Sequence, residues 1–330
     1  MYVTEEPQLR RFWYPLAFIE DLAAGPLARR LLGEDLVVWS AGPGEVSAAR
    51  DRCPHRDARM SMGWMEGACL VCPYHGWQYG SDGMATHIPQ MEPGLPVPPK
   101  ARLGSVRCTE RYGVVWVALD EPIRPIPELP MLADPRTRSI RQFDEVWAAS
   151  APRLIDNSFD PAHTSFVHRN TFGSAPATDV ATVERTPNGI VMRVEVKVNQ
   201  VAGMEHITGD SGDTTVRYVE TTWWAPFFRV LDQTYPSGIR HTIAMSATPV
   251  DDTHLRLVQW VMRNDTEAEA PAADVVAFDR RITLEDKDLL EGVWPDYSLD
   301  VTDNVHIKVD RPTLVIRQVL AEIVAGTWKG

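Results

Sequence analysis

Residues 53–77, "CPHRDARMSMGWMEGACLVCPYHGW", hold two short clasps, Cys53-Pro54-His55 and Cys72-Pro73-Tyr74-His75, each opening on a cysteine and closing on a histidine. The whole chain has four cysteines in 330 residues, so a disulfide framework is excluded and a metal is the natural reading. Thiolate with imidazole suits zinc or an iron–sulfur centre. Zinc draws support from Cys69-Leu70-Val71-Cys72, itself a C-x2-C pair. Against it, a Cys-x-His knuckle is unusual in a zinc ribbon, and Cys69 leaves five candidate ligands for a four-ligand site. The alternative is a [2Fe–2S] cluster with two cysteines on one iron and two histidines on the other. That needs two clasps, each giving one sulfur and one nitrogen, which the segment supplies. Buried cysteines and surface histidines brought together by chance are the bland alternative.

These residues carry a resemblance. Cys53-x-His55 followed by Cys72-x2-His75 resembles the Rieske fingerprint, and "CPHR" and "CPYHGWQYGSDG" are similar to the loops of Rieske-type non-haem iron aromatic ring-hydroxylating oxygenases. The resemblance implies that Cys53, His55, Cys72 and His75 hold the cluster. Cys69 has no place in that pattern and, with Cys108, reads as a small strand residue. Gly76 and Gly83 fall where the backbone must turn tightly. Arg59 departs from the common pattern and reads as a contact for an electron donor or as a solvated side chain.

A cluster domain alone leaves residues 126–330 unexplained. The run Asn157-Ser-Phe-Asp160-Pro-Ala-His163-Thr-Ser-Phe-Val-His168 addresses them. His163 and His168 are five apart, about 500° of helix rotation, and so come within reach of one face once local geometry adjusts. Two histidines and one carboxylate with open positions make a non-haem Fe(II) site that activates O2. H-x4-H alone is weak, but with Asn157 and Asp160 the run resembles the N-x2-D-x2-H-x4-H signature of the same oxygenases. "LEDKDLLEGV" (284–293) resembles their late helix, whose aspartate closes the triad; the resemblance gives Asp286, with Glu285, Asp288 and Glu291 as rivals. It implies for Asp160 a bond to His163 in its own subunit and to the cluster histidine His75 of the next, orienting imidazole and raising its basicity. A cap before Pro161 is the bland reading of Asp160.

The rest of the chain is compatible. Its formal charge of −12 argues against a nucleic-acid partner; no apolar run of about 18 residues or signal peptide stands out, and four cysteines without a disulfide framework make a reducing cytoplasm the expectation. Short strands and turns fill the first 120 residues, with "EDLVVWSAGPGEVSAARDRC" as a hairpin and "GVVWVALD" (113–120) as a strand. The proline-punctuated 121–136 reads as a linker. Strands return from 180 to 262, including "GIVMRVEVKVNQV", and helices close the chain at 274–293 and 311–326. An α+β protein is expected, with a Rieske [2Fe–2S] domain over 1–125 and a catalytic domain over 126–330. By the resemblance the latter is a START-like helix-grip fold, an antiparallel sheet wrapped around a long C-terminal helix. Its pocket wall is expected in the aromatic run "ETTWWAPFFRVLDQTY" (220–235) with Thr242, Met245 and Trp260.

The implied protein is a terminal oxygenase holding a [2Fe–2S] cluster and a mononuclear Fe(II). A reductase or ferredoxin supplies it with electrons, and it acts on an aromatic or heteroaromatic substrate. Chain length resembles the homotrimeric demethylases and carbazole-type dioxygenases, so monooxygenation ending in demethylation or hydroxylation is expected, with arene dihydroxylation as the alternative. A Rieske electron carrier with a ligand-binding domain is the alternative of another class; iron analysis separates the two.

Overall fold

The computed structural model describes residues 1–92, 94–173, 181–200, 203–210 and 212–330. They form two compact units, Arg10–Ile126 and Met1–Leu9 with Pro127–Gly330. The division falls inside the proline-punctuated stretch, where rings without N–H groups keep the chain out of helix and sheet.

The first unit is built from strands in three antiparallel sheets. Strands β1 (Tyr14–Phe18), β9 (Arg107–Arg111) and β10 (Val114–Ala118) form one, in the order β1-β10-β9; β2 (Leu27–Leu31), β3 (Glu34–Gly42) and β4 (Glu45–Arg50) form the second. The third runs β5 (Trp64–Glu66), β6 (Cys69–Val71), β7 (Gln78–Tyr79) and β8 (Ala85–His87). The expected hairpin is β3–β4, turning at Pro43-Gly44 with Gly44 at φ +73°. β10 is buried along its whole length, as an unbroken apolar run requires. The two clasps are the loops after β4 and between β6 and β7, and their cysteines belong to the core of this unit, packed with Trp39, Leu70 and Tyr79.

The second unit carries a seven-stranded antiparallel sheet: β11 (Arg138–Trp147), β12 (Thr182–Thr186), β13 (Gly189–Asn199), β14 (Thr214–Trp224), β15 (Phe228–Thr234), β16 (Arg240–Pro249) and β17 (Leu255–Arg263), in the order β11-β17-β16-β15-β14-β13-β12. Val201, the end of one expected strand, lies outside the described residues. The helices are α1 (Ala151–Ser158), α2 (Thr164–Val167), α3 (Glu205–Thr208), α4 (Ala272–Leu290) and α5 (Arg311–Val324). The α+β class and the antiparallel-sheet domain are as expected, and α4 is the helix against the cavity side of the sheet; the last helix, α5, packs on β13.

The helical spacing that brings His163 within reach of His168 is not carried by one continuous helix: α1 ends at Ser158 and a one-turn α2 follows. Pro161 causes the break, because it disfavours helical backbone at Asp160 and brings no N–H. The run 220–235 does line the cavity, but through Thr221, Arg229, Leu231 and Gln233 and not through its aromatic side chains. Strand residues alternate faces, and the lining members are Arg217, Val219, Thr221, Arg229, Leu231 and Gln233, followed by His241, Ile243 and Gln259. Trp260 instead packs on Phe228 with ring centres 5.8 Å apart, while Thr242 bonds Asp232 at 2.9 Å. Met245 shares the facing parity but lies beyond the cavity lining.

Candidate metal centres

The two clasps are structural copies of one loop. Cys53 N–H donates to Ala58 O at 2.8 Å and Cys72 N–H to Trp77 O at 2.8 Å; Asp57 N–H returns to Cys53 O and Gly76 N–H to Cys72 O, both at 3.0 Å. Position five of each loop takes a left-handed backbone, with Asp57 at φ +58° and Gly76 at φ +72°. Aspartate is among the few residues besides glycine that tolerate this, so the first clasp does without the glycine of the second. Gly83 is also left-handed, at φ +77°.

The loops bury their cysteines and turn their histidines outward: Cys53 and Cys72 are 1% exposed, whereas His55 is an exposed residue. The His55 and His75 ring centres are 4.5 Å apart, and Trp77 lies flat on His55 at 4.5 Å. Gln90 locks the second loop, donating to His75 O at 2.9 Å and accepting from Trp77 Nε1 at 3.2 Å. Two observations fit a cluster among these four side chains. His75 Nδ1 is buried with no hydrogen-bond partner, an orphan that a metal resolves. Main-chain N–H groups of Tyr74 and His75 favour the Cys72 thiolate, although burial outweighs them and raises the thiol. Tyr79 Oη stands 3.3 Å from Cys53 Sγ. Cys69 plays no part: it sits in β6 with Sγ 3.5 Å from Thr86 Oγ1. Cys108 sits in β9, its thiol pushed up to about 12 by burial. Arg59 is exposed, 3.8 Å from Asp35.

In the second unit His163, His168 and Asp286 come together. His163 and His168 cap the two ends of α2, so the single turn folds their rings toward each other with the Nε2 atoms 3.2 Å apart. Asp286 Oδ1 is 3.6 Å from His163 Nε2 and 3.4 Å from His168 Nε2. A point equidistant from the three atoms is about 2 Å from each, the length of a metal–nitrogen or metal–oxygen bond. The far nitrogens show which atoms are free to bind. His168 Nδ1 donates to Glu285 Oε2 at 2.9 Å and His163 Nδ1 to the main-chain carbonyl of Asp160. With Nδ1 engaged in each ring, both turn Nε2 on the same point, where a metal would take up their lone pairs. Burial holds His163 below the ordinary histidine pKa, against the attraction of Asp286. The group opens on a cavity of about 160 Å³ between the sheet and α4.

The rivals of Asp286 are placed elsewhere. Consecutive helix residues point 100° apart, so Asp286 faces the front of His168 while Glu285 reaches its back, where Thr171 Oγ1 also donates to Glu285 at 2.8 Å. Asp288 is exposed and Glu291 accepts from Ala148 N at 3.0 Å. Asn157 Nδ2 donates to Asp286 Oδ1 at 3.0 Å. One implied contact is corrected: His163 meets the carbonyl of Asp160, and the carboxylate instead accepts Ala162 N–H at 2.8 Å. The tight turn into Pro161 puts that carbonyl, three residues back, over the ring. The sequence reading took Glu285 only as a rival ligand; its adjacency to Asp286 was the available signal. Replacing Glu285 with alanine frees His168 to rotate, and iron affinity is expected to fall about 10- to 100-fold. Chelator competition on the purified protein measures this, and unchanged sensitivity would show that Glu285 does not orient the ring.

Comparison with known proteins agrees with this geometry. The family described as Rieske [2Fe-2S] domain matches residues 12–110, and that described as vanillate O-demethylase oxygenase C-terminal domain matches residues 147–326. The chain is a Rieske non-haem iron oxygenase. Methylxanthine N1-demethylase NdmA of Pseudomonas putida is 30% identical to this oxygenase, over 99% of this chain and 92% of NdmA. Methylxanthine N3-demethylase NdmB of the same species is 28% identical over the same shares. The structure of NdmA from Pseudomonas putida CBB5 superposes with a TM-score of 0.81 at 29% identity, covering 99% of this oxygenase and 94% of NdmA. Dicamba monooxygenase bound to dicamba shares the fold, with a TM-score of 0.80 at 20% identity over 96% of this chain and 97% of that one. As a member of the family this oxygenase is an oxidoreductase with a Rieske [2Fe–2S] cluster and a mononuclear iron. Among the described residues, no helix is long and apolar enough to cross a membrane.

Proposed function

We propose that this chain is a terminal oxygenase that removes a methyl group from nitrogen or oxygen of an aromatic or heteroaromatic compound, with electrons from a reductase or ferredoxin. The observation that carries the reading is the convergence of His163 Nε2, His168 Nε2 and Asp286 Oδ1 at the edge of a cavity. The demethylase names of its relatives support the reaction class.

In this reading Cys53, His55, Cys72 and His75 of the Rieske unit hold the cluster, and His163, His168 and Asp286 of the catalytic unit hold the iron. When bound, the cluster supplies single electrons and the mononuclear iron activates O2 beside the substrate. The chain's own residues do the rest. Asp160 O and Glu285 fix the ring tautomers, and Asn157 holds Asp286 Oδ1 in place. Apolar side chains such as Val194, Val196, Val198 and Ile282 line the cavity and exclude water from the substrate. One atom of O2 enters the methyl C–H bond and the other leaves as water, consuming two electrons and two protons; the carbinol formed then releases formaldehyde. The test is a screen of N- and O-methylated aromatics with a reductase supplied, reading formaldehyde against O2 consumed. Formaldehyde in a one-to-one ratio to O2 is expected; a cis-diol without formaldehyde would replace this reading by arene dihydroxylation.

The working assembly in this proposal is a head-to-tail homotrimer, a closed ring in which every subunit both gives and receives electrons. Asp160 of one subunit meets His75 of the partner subunit across the junction. The four cysteines are free, which suits the reducing cytoplasm where we place the enzyme.

A further inference from the structure

We propose that Asp156 is a positioning residue for the mononuclear iron, fixing the last turn of α1 so that Asn157 meets Asp286; this rests on the assignment of Asp286 to the iron. Helix α1 is eight residues long and ends at Ser158. A helix of that length is marginal in water and takes its shape from what it packs against. Its last turn nevertheless carries Asn157, whose Nδ2 donates to Asp286 Oδ1 at 3.0 Å.

A strap holds that turn. The chain leaves the end of α4 and is tied to α1 rung by rung. Glu291 accepts Ala148 N–H at 3.0 Å, and Pro295 O accepts the Ser150 hydroxyl at 2.9 Å. The Arg153 guanidinium donates to Trp294 O at 3.2 Å and also to Asp296 O. Asp156 is the last rung: its Oδ1 accepts the Tyr297 hydroxyl at 2.9 Å and its Oδ2 the Arg317 guanidinium at 2.8 Å. Tyr297 is 1% exposed and has two cations over its ring, Arg153 Cζ at 5.4 Å and Arg317 Cζ at 4.6 Å from the centre. Arg317 comes from α5 and is anchored further by Asn304 Oδ1 at 3.0 Å.

Ser150, Arg153 and Asp156 are three residues apart and share one side of α1, whereas Asn157 is turned about 100° from Asp156. The same turn therefore meets the strap on one side and the iron carboxylate on another. The Arg317 and Asp156 side chains are 5% and 17% exposed, and a pair so buried adds little stability over apolar side chains of the same volume. What it adds is a fixed direction. Because the strap begins where α4 ends, it ties the helix that carries Asp286 to the helix that carries Asn157.

The test replaces the ion pair by apolar side chains, Asp156→Ala with Arg317→Met, and measures the mononuclear iron of the holoenzyme by chelator competition. Thermal stability is expected to stay close to that of the wild type, with the Rieske absorption intact. Iron affinity is expected to fall about fivefold, short of the roughly tenfold expected for Asn157→Ala. In an Asn157→Ala background the same replacement changes affinity by less than about twofold, since its route to the iron is already cut. Tyr297→Phe removes one hydroxyl and leaves the ion pair; it repeats the cycle should the paired variant fail to fold, with a loss of about threefold. Unchanged iron affinity in the folded variant, or an equal loss with and without Asn157, overturns the proposal and leaves Asp156 a part of the fold alone. A third iron kept by Asp286→Ala overturns the assignment on which the proposal rests, so the two failures are told apart.

Discussion

Asp286→Ala is expected to lose the mononuclear iron and all measurable turnover while the cluster irons and their visible absorption stay. Among the described residues, Asp286 is the carboxylate whose oxygen stands within 3.6 Å of both histidine Nε2 atoms. Without it two neutral imidazoles remain for a divalent cation, too few to hold it against water. The cluster survives because its four proposed ligands belong to the other unit, Arg10–Ile126. Iron per chain, measured by atomic emission alongside the Rieske spectrum, gives the answer directly. A variant that kept its third iron would move the ligand to a neighbouring carboxylate. Glu285 is then the first to examine, since it already holds the other nitrogen of His168.

Asp160→Asn is expected to keep both metals and lower turnover by about a hundredfold, the upper range for loss of a residue that orients metal ligands. The structure makes this substitution a clean test. An asparagine carbonyl still accepts Ala162 N–H, and the contact to His163 uses the main-chain oxygen, which the change does not touch. Charge and the second carboxylate oxygen are what disappear, and these are what a bridge to His75 of the partner subunit needs. A chemically reduced variant mixed with substrate and O2 should therefore reoxidise its cluster slowly. Wild-type reoxidation would dismiss the bridge.

The sequence was most legible where chemistry forces spacing. Cys53, His55, Cys72 and His75 could be singled out because a cluster with mixed ligands needs two loops of this composition, and the structure puts the His55 and His75 ring centres 4.5 Å apart. His163 and His168 could be paired by helical spacing, yet their placement could not be derived: they flank a single turn that Pro161 separates from α1. The pocket was the least legible part. In "TTVRYVETT" both faces of the strand carry polar residues, so alternation alone could not say that Arg217 and Thr221 point inward while Tyr218 and Glu220 do not. Only the register of β14 between β13 and β15 settles this. The aromatic residues were misplaced for the same reason, since Trp260 and Phe228 have the volume of a pocket wall but the opposite parity.

The duplicated clasps leave the Rieske unit insulated on one side. Their sulfurs point into a packed interior with Trp39, Leu70 and Tyr79, and only the imidazole edge meets the outside. Charge cannot cross the sulfur side efficiently, because tunnelling would have to traverse the whole thickness of the domain. Arrival and departure of each electron are thus confined to one narrow rim. A donor protein seated on that rim shields it from any acceptor that needs the same atoms. Delivery and discharge then either alternate in time or divide the rim between them, one at the fully exposed His55 and the other at His75.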